Sequence, residues 1–296
     1  MGTVRMHADE VDIDARLVRR LVAGRFPQWA GLPLRRLASS GTENAMFRLG
    51  ADKVVRLPRH PRAVEAVEHE LRWLPRLGPR LPVAAPVPLG RGEPGADFPW
   101  PWSVYGWLDG CNPVPGALDA PELLARDLAS YVGALRRVDA SDGPAGHRGV
   151  PLAARDRSVR EALALLTGRV DTAAVVRRWE EALGAPEHSG PPVWAHCDLM
   201  AGNLLVTGGR LSAVIDYGTV GTGDPAVDLI SAWCVLPAAV RGLFREAVGA
   251  GDAEWARGRG WALSIAVVAL PYYWETNPPV AENSRHVIAE ILAETA

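Results

Sequence analysis

The sequence predicts an α+β fold of two lobes, a small β-rich one over residues 1–108 and a larger, mainly helical one over residues 109–296. Three observations predict it. Short apolar runs separated by turn residues crowd the first third of the chain, stripes of apolar residues at helical spacing dominate the remainder, and a single hairpin signal sits inside the helical part. A small lobe, a connector and a larger lobe imply a cleft between them.

In chain order, Leu34–Leu37, Ala45–Leu49 and Lys53–Leu57 read as strands, separated by Ser39-Ser40-Gly41-Thr42 and by Gly50-Ala51-Asp52, the latter a tight hairpin signal. A helix begins near Arg62, with Val64, Val67, Leu71, Leu74 and Leu77 on one stripe, and Pro75 predicts a kink or an end near Leu74. Gly78–Pro101 is rich in proline and glycine and reads as loop around a short strand near Val87–Gly90, followed by a strand over Trp102–Leu108. Asp109–Gly116 is the connector. Asp119 with Glu122 resembles a capping box before the stripe Leu124, Leu128, Tyr131, Leu135 and Val138. Helices are expected over 159–183, 238–249, 253–270 and 280–293. Within Val193–Ile215, Leu204-Leu205-Val206 and Leu211–Ile215 flank Thr207-Gly208-Gly209-Arg210, a hairpin turn.

Composition narrows the function. Hydrophobic residues make up 48% of the chain and charged residues 22%, the balance of an ordinary globular protein. A formal net charge of −2 offers no electrostatic case for binding nucleic acid or a membrane surface. Cys111, Cys197 and Cys234 form neither a disulfide framework nor a CxxC metal site, and Met1–Asp14 lacks the apolar core of a signal peptide. The most apolar stretch, Trp261–Leu270, falls short of the roughly 20 residues of a spanning helix. A cytoplasmic location is expected. Lys53 is the single lysine, so chemistry that needs lysine has one candidate.

The chemistry concentrates around the lone hairpin. His196-Cys197-Asp198-Leu199-Met200-Ala201-Gly202-Asn203 precedes it and Ile215-Asp216-Tyr217-Gly218 follows, so the turn folds an acid, an amide and a second acid back onto one edge. Asp198 can orient or take a hydroxyl proton, while Asn203 and Asp216 offer hard oxygen ligands for Mg²⁺. Phosphoryl transfer needs this set. On composition alone about 0.007 chance matches of His-x-Asp-x-x-x-x-Asn are expected in such a chain. The plain structural alternative is that Asp198, Asn203 and Asp216 only cap turns.

At these residues the sequence resembles the aminoglycoside phosphotransferase family, which shares a bilobal fold with protein kinases and choline kinases. The resemblance runs from about Leu34 to the C-terminus and includes Gly223-Asp224-Pro225-Ala226-Val227-Asp228-Leu229. It implies a protein-kinase-like fold with a regulatory-type helix in the small lobe and a nucleotide cleft. It also implies transfer of the γ-phosphoryl group of ATP or GTP, with Mg²⁺, to a hydroxyl of an aminoglycoside-like acceptor. Asp198 matches the catalytic aspartate, His196 and Asp228 the groups that brace its loop, and Asn203 and Asp216 the metal ligands. Asp224 reads either as an N-cap or as part of the motif, the cap being favoured. Cys197 stands where the family usually has glycine.

In the small lobe the resemblance places a phosphate-binding cation on the third strand. Arg56 occupies the position where lysine is common, and strand alternation turns Lys53 to the opposite face. A solvated surface arginine is the alternative. Glu70 falls between Leu74 and Leu77 on the apolar arc, whereas Glu65 points away and Glu68 lies at the margin, so Glu70 is the expected partner. Ser40 and Gly41 match a phosphate-covering loop, although one glycine alone is just a turn. Tyr105, Gly106 and Leu108 match a hinge whose backbone holds adenine; a core strand fits the same side chains. Tyr273, Trp274 and Glu275 offer aromatic faces and an acid for an acceptor. Choline-like amines, sugars and macrolides are alternative acceptors, and a catalytically weak nucleotide or ligand binder is the alternative activity. The absence of GxSxG and HExxH disfavours a hydrolase, and the absence of HRD and APE segments disfavours a protein kinase.

Overall fold

The computed structural model describes residues 11–37 and 43–294, and two compact units emerge. The first comprises Met1–Pro79, Ala84–Asp109 and Ala213–Gly218; the second comprises Arg80–Val83, Gly110–Ser212 and Thr219–Ala296.

In the first unit, α1 (Ala15–Arg25) precedes β1 (Leu34–Arg36), β2 (Asn44–Leu49), β3 (Lys53–Pro58), α2 (Val64–Leu77), β4 (Pro88–Gly92) and β5 (Trp102–Gly106). The strands form one antiparallel sheet in the order β1-β2-β3-β5-β4. Alternation along β2 and β3 sends Phe47, Leu49, Val55 and Leu57 to one face, where they bury against Leu17, Val18, Leu21 and Val22 of α1. Helix α1 was not expected from the sequence. Its apolar pairs are interrupted by arginines, and its start is fixed by Asp14, which accepts from the Leu17 amide at 2.7 Å. Arg56 lies on the other face of β3, opposite Met46 and Ser103. Pro75 does not end α2 near Leu74. It removes one backbone donor, but the Gly78 amide bonds the Leu74 carbonyl and closes a further turn.

In the second unit, α3 (Pro121–Arg136), α4 (Asp156–Leu165) and α5 (Thr172–Leu183) precede the short strand β6 (Val193–Ala195). The hairpin β7 (Leu204–Thr207) and β8 (Arg210–Val214) follows, turning through Gly208 and Gly209 at φ 57° and 74°, a left-handed pair that glycine adopts without strain. Strand β9 (Gly221–Gly223) pairs with β6, and α6 (Ser231–Cys234), α7 (Ala238–Val248), α8 (Asp252–Tyr273) and α9 (Pro278–Ala293) complete the chain. Helix α8 is the centre, buried along Trp261–Val267 and packed on α4, α5 and α9.

Three expectations are corrected here. Asp119 does not cap α3: Ala120 holds that position and Pro121 starts the helix, its fixed φ and missing N–H suiting the first turn. The single helix over 159–183 is two helices, broken around Gly168 at φ 77° and restarted by Asp171, which accepts from the Ala174 amide. Helix α8 continues through Pro271 to Tyr273. Among the described residues no helix is long and apolar enough to cross a membrane.

Candidate active site

In the first unit the geometry centres on one buried arginine. Arg56 Nη1 donates to Glu70 Oε2 at 2.5 Å and Nη2 to Asp216 Oδ1 at 2.6 Å. The Asn44 amide oxygen, turned to face the guanidinium, accepts from Nε at 3.0 Å and from Nη2 at 2.9 Å. Glu70 is itself fully engaged, because the Tyr105 hydroxyl donates to Oε2 and the Tyr217 amide to Oε1, each at 2.9 Å. Burial opposes the Arg56 charge, yet the Asp216 and Glu70 carboxylates outweigh it and raise its pKa, so the guanidinium stays charged. Lys53 turns away: its ammonium sits 2.8 Å from Asp52 and 5.5 Å from the Trp29 ring centre.

Asp216 follows β8 with φ 66°, a left-handed conformation that aspartate tolerates better than most residues. Its side chain is 39% exposed. At the end of β5, the Gly106 amide donates to the Val87 carbonyl and the Trp107 amide to the Asp52 carbonyl. Among the described residues none hydrogen-bonds the Leu108 amide. Tyr105, a backbone candidate in the sequence, also commits its side chain to Glu70. Ser40 and Gly41 lie outside the described residues.

In the second unit β6 ends at a loop tied at both ends. Asp228, buried on the turn of helix after Asp224, accepts from the His196 amide and from the Cys197 amide, each at 2.8 Å. Burial pushes the Asp228 carboxyl up, opposed by His196 and by those two amides. Asn112 donates to the carbonyls of Gly202 and Leu204 at the far end. Between them, Asn203 Nδ2 donates to Asp198 Oδ2 at 2.7 Å and to the Asp198 carbonyl at 2.9 Å. The carboxylate is thereby fixed, with 23% of its side chain exposed. His196 is buried near Tyr131, and its carbonyl accepts from Thr219. Asp224 caps the Ala226 amide and pairs with buried Arg257 as well.

Sequence reasoning missed Arg148. Its guanidinium pairs with Asp198 Oδ1 and donates to the Cys197 carbonyl at 2.9 Å. Burial opposes this charge, and Asp198 more than restores it. What brings Arg148 here is a close backbone approach: Gly146 bonds the Thr222 carbonyl, and a Cβ on Gly221 would lie 2.5 Å from the Gly146 Cα. Both glycines are visible in the sequence, but nothing in it joins them.

Cys197 has φ 67°, which explains why glycine suits this place. Burial pushes its thiol up and Asp228 adds to the effect, so it stays protonated and inert. Cys197→Gly should therefore shift stability by only about 1 kcal/mol, relief of strain offsetting a small void, whereas β-branched Cys197→Val should cost roughly 2 kcal/mol or more. Urea denaturation of both variants checks this; equal stability of the two would show that φ does not govern the position.

Tyr273 packs edge-on to the exposed Tyr272, and Glu275 is exposed. The Trp274 ring carries two guanidinium groups, Arg169 at 4.6 Å and Arg285 at 5.4 Å from its centre. As for Mg²⁺, no three His, Cys, Asp or Glu side chains converge as a metal set among the described residues. Asp216 in the first unit and Asn203 in the second each carry a hard oxygen of the kind that Mg²⁺ takes as a ligand.

The profile of the phosphotransferase enzyme family (APH) matches residues 35–261. The chain belongs to this family. No curated protein matches it significantly in sequence. Solved structures show the fold of the phosphotransferase family at low identity. The GDP complex of wild-type aminoglycoside 2'-phosphotransferase-IIIa is 17% identical with a TM-score of 0.76, covering 95% of this chain and 99% of the other. The gentamicin complex of APH(2")-IIa is 17% identical with a TM-score of 0.63, covering 96% and 98%. Macrolide 2'-phosphotransferase MphH from Brachybacterium faecium, as apoenzyme, is 24% identical with a TM-score of 0.63, covering 96% and 100%. The α+β, kinase-like architecture expected from the sequence is thus the architecture of the phosphotransferase family.

Proposed function

We propose that this chain is a small-molecule kinase that transfers the γ-phosphoryl group of ATP or GTP to a hydroxyl of an acceptor in the class of aminoglycosides and macrolides. The observation that carries the reading is the Asp198 loop, a part-exposed carboxylate held by Asn203 and by a loop that Asp228 ties at its start. Asp198 orients the acceptor hydroxyl and takes its proton; His196 and Asp228 keep the loop in place. Arg56 supplies the phosphate-facing positive charge and Glu70 positions it. Ser40 and Gly41 cover the phosphates, and the backbone of Tyr105, Gly106 and Leu108 receives the base. Asn203 and Asp216 would hold Mg²⁺, which when bound neutralises phosphate charge. On the acceptor side, Tyr273, Trp274 and Glu275 contact the body of the molecule.

The test is nucleotide consumption with Mg²⁺ across aminoglycosides, macrolides, choline-like amines and sugars, with ATP and with GTP. Consumption that needs both an acceptor and Mg²⁺ is expected; none above background across the panel would overturn the reading. Asp216→Ala should raise the Mg²⁺ needed for half-maximal rate by at least about tenfold, and Asn203→Ala by less, since a carboxylate brings full charge to the ion. Unchanged Mg²⁺ titrations in both variants would return these residues to the role of turn caps. One observation favours nucleotide binding without turnover, namely that Arg56 already engages the Asp216 carboxylate. Nucleotide affinity without consumption would select it.

A further inference from the structure

Asp198 is gripped on two sides, and one of the two grips comes from outside its own loop. Asn203 Nδ2 spans the Asp198 carbonyl and Oδ2, at 2.9 and 2.7 Å. On the other side a single nitrogen of Arg148, Nη1, spans the Cys197 carbonyl, at 2.9 Å, and Asp198 Oδ1. Each carboxylate oxygen is therefore tied, through one donor nitrogen, to a backbone carbonyl within one residue of it. The Cys197 amide is held by Asp228 as well, so the residue before Asp198 is pinned at both its amide and its carbonyl.

The Arg148 side chain is not what holds its own segment. The Thr222 amide donates to the Pro144 carbonyl at 2.8 Å, and the Gly146 amide to the Thr222 carbonyl at 2.9 Å. The Asp224 amide donates to the Gly149 carbonyl at 2.8 Å, so backbone bonds lie on both sides of Arg148. The Thr222 hydroxyl adds a bond to the Pro144 carbonyl at 3.0 Å. A Cβ on Gly223 would lie 2.5 Å from the Gly149 carbonyl oxygen, an approach as close as that between Gly146 and Gly221. Backbone bonds thus fix the platform, and among the described residues the one carboxylate that the guanidinium pairs with is Asp198.

We propose that Arg148 is a positioning residue for the phosphoryl transfer, holding the Asp198 carboxylate in the rotamer from which it orients and deprotonates the acceptor hydroxyl. The inference rests on the reading of Asp198 as the base. An unrestrained aspartate samples several rotamers, and misplacement by about 1 Å costs up to about 10² in rate. Because one nitrogen makes both bonds, the forked guanidinium is not required here, in contrast to Arg56. A lysine ammonium, with three donors on one nitrogen, can meet the same two acceptors. Arg148 acts through Asp198, so its loss should fall on kcat and spare both binding steps.

The test uses the full chain as Arg148→Met, Arg148→Lys and the double variant Arg148→Met/Asp198→Asn. With the acceptor that the panel above selects, Arg148→Met should lower single-turnover kcat by about 10- to 100-fold, while acceptor KM and nucleotide Kd stay within about twofold. Arg148→Lys should recover kcat to within about fivefold of the unaltered protein. The double variant should be no slower than Asp198→Asn alone, because both changes act on one unit. Crystal structures of the unaltered protein and Arg148→Met supply a readout apart from activity: the Asp198 side chain should leave its rotamer while the backbone of 144–149 and 196–203 stays in place. Unchanged kcat, a raised acceptor KM with kcat intact, no recovery in Arg148→Lys, additive losses in the double variant, or an unmoved Asp198 each overturns the proposal. Failure of Arg148→Met to fold also overturns it, since the side chain would then be what holds the segment. If the unaltered protein turns over no acceptor, the phosphotransfer reading falls, and the Asp198 rotamer in Arg148→Met still decides whether Arg148 holds the carboxylate.

Discussion

Asp198→Ala should lower turnover by about 10²–10⁴ while nucleotide affinity stays close to that of the unaltered protein. The split follows from the geometry. Asp198 accepts from Arg148 and Asn203, so the structure holds it as a positioned carboxylate rather than as a phosphate contact. Alanine leaves Arg148 without its carboxylate, so Asp198→Asn is the necessary companion: it keeps the shape and a hydrogen-bond acceptor but cannot take a proton. Both variants should lose rate alike if proton transfer or hydroxyl orientation by the anion is the contribution. Single-turnover rate and nucleotide Kd, measured separately, check this. Turnover near that of the unaltered protein in Asp198→Asn would remove the base assignment.

Arg56→Ala should produce the largest combined effect on stability and nucleotide handling. It strips the counterion from two carboxylates, and breaking one buried pair costs about 3–5 kcal/mol, a large part of a typical total of about 5–15 kcal/mol. Where the variant still folds, nucleotide KM should rise and kcat fall. Glu70→Ala should cost less alone, because Arg56 keeps Asp216 and Asn44, and adding it to Arg56→Ala should cost little more. Arg56→Lys tests the fork: one ammonium cannot reproduce the bonds to Glu70, Asp216 and Asn44 together, so partial recovery at best is expected. Lys53→Ala should be nearly silent, its ammonium being held by exposed Asp52. Strict additivity of Arg56→Ala and Glu70→Ala in kcat/KM, or a larger loss from Lys53→Ala, would refute the assignment of the cation.

Much of this was legible in the chain because its signals are local. Strand alternation separates Arg56 from Lys53, and helical periodicity aims Glu70, rather than Glu65 or Glu68, at the buried face; both depend only on residue spacing. The Gly208-Gly209 turn likewise demands left-handed backbone wherever the chain goes. Where the reading erred, local rules competed. Glu122 three residues after Asp119 imitates a capping box, but Pro121 sets the start of α3 by itself, and the apolar stripe over 159–183 does not register that Gly168 and Asp171 reset the helix.

Long-range placement was decided only by the tertiary structure. Arg148 reaches Asp198 across 50 residues because the glycines at 146 and 221 let two backbones touch, and no periodicity encodes a meeting of that kind. The return of Ala213–Gly218 to the first unit, which brings Asp216 to Arg56 and the Tyr217 amide to Glu70, is equally invisible in a linear reading. The sequence by itself determined which residue types sit on which face of each element, through the 2- and 3.6-residue periods of the backbone. Which charges end up buried together depends on packing between elements far apart in the chain, and that was settled by the fold.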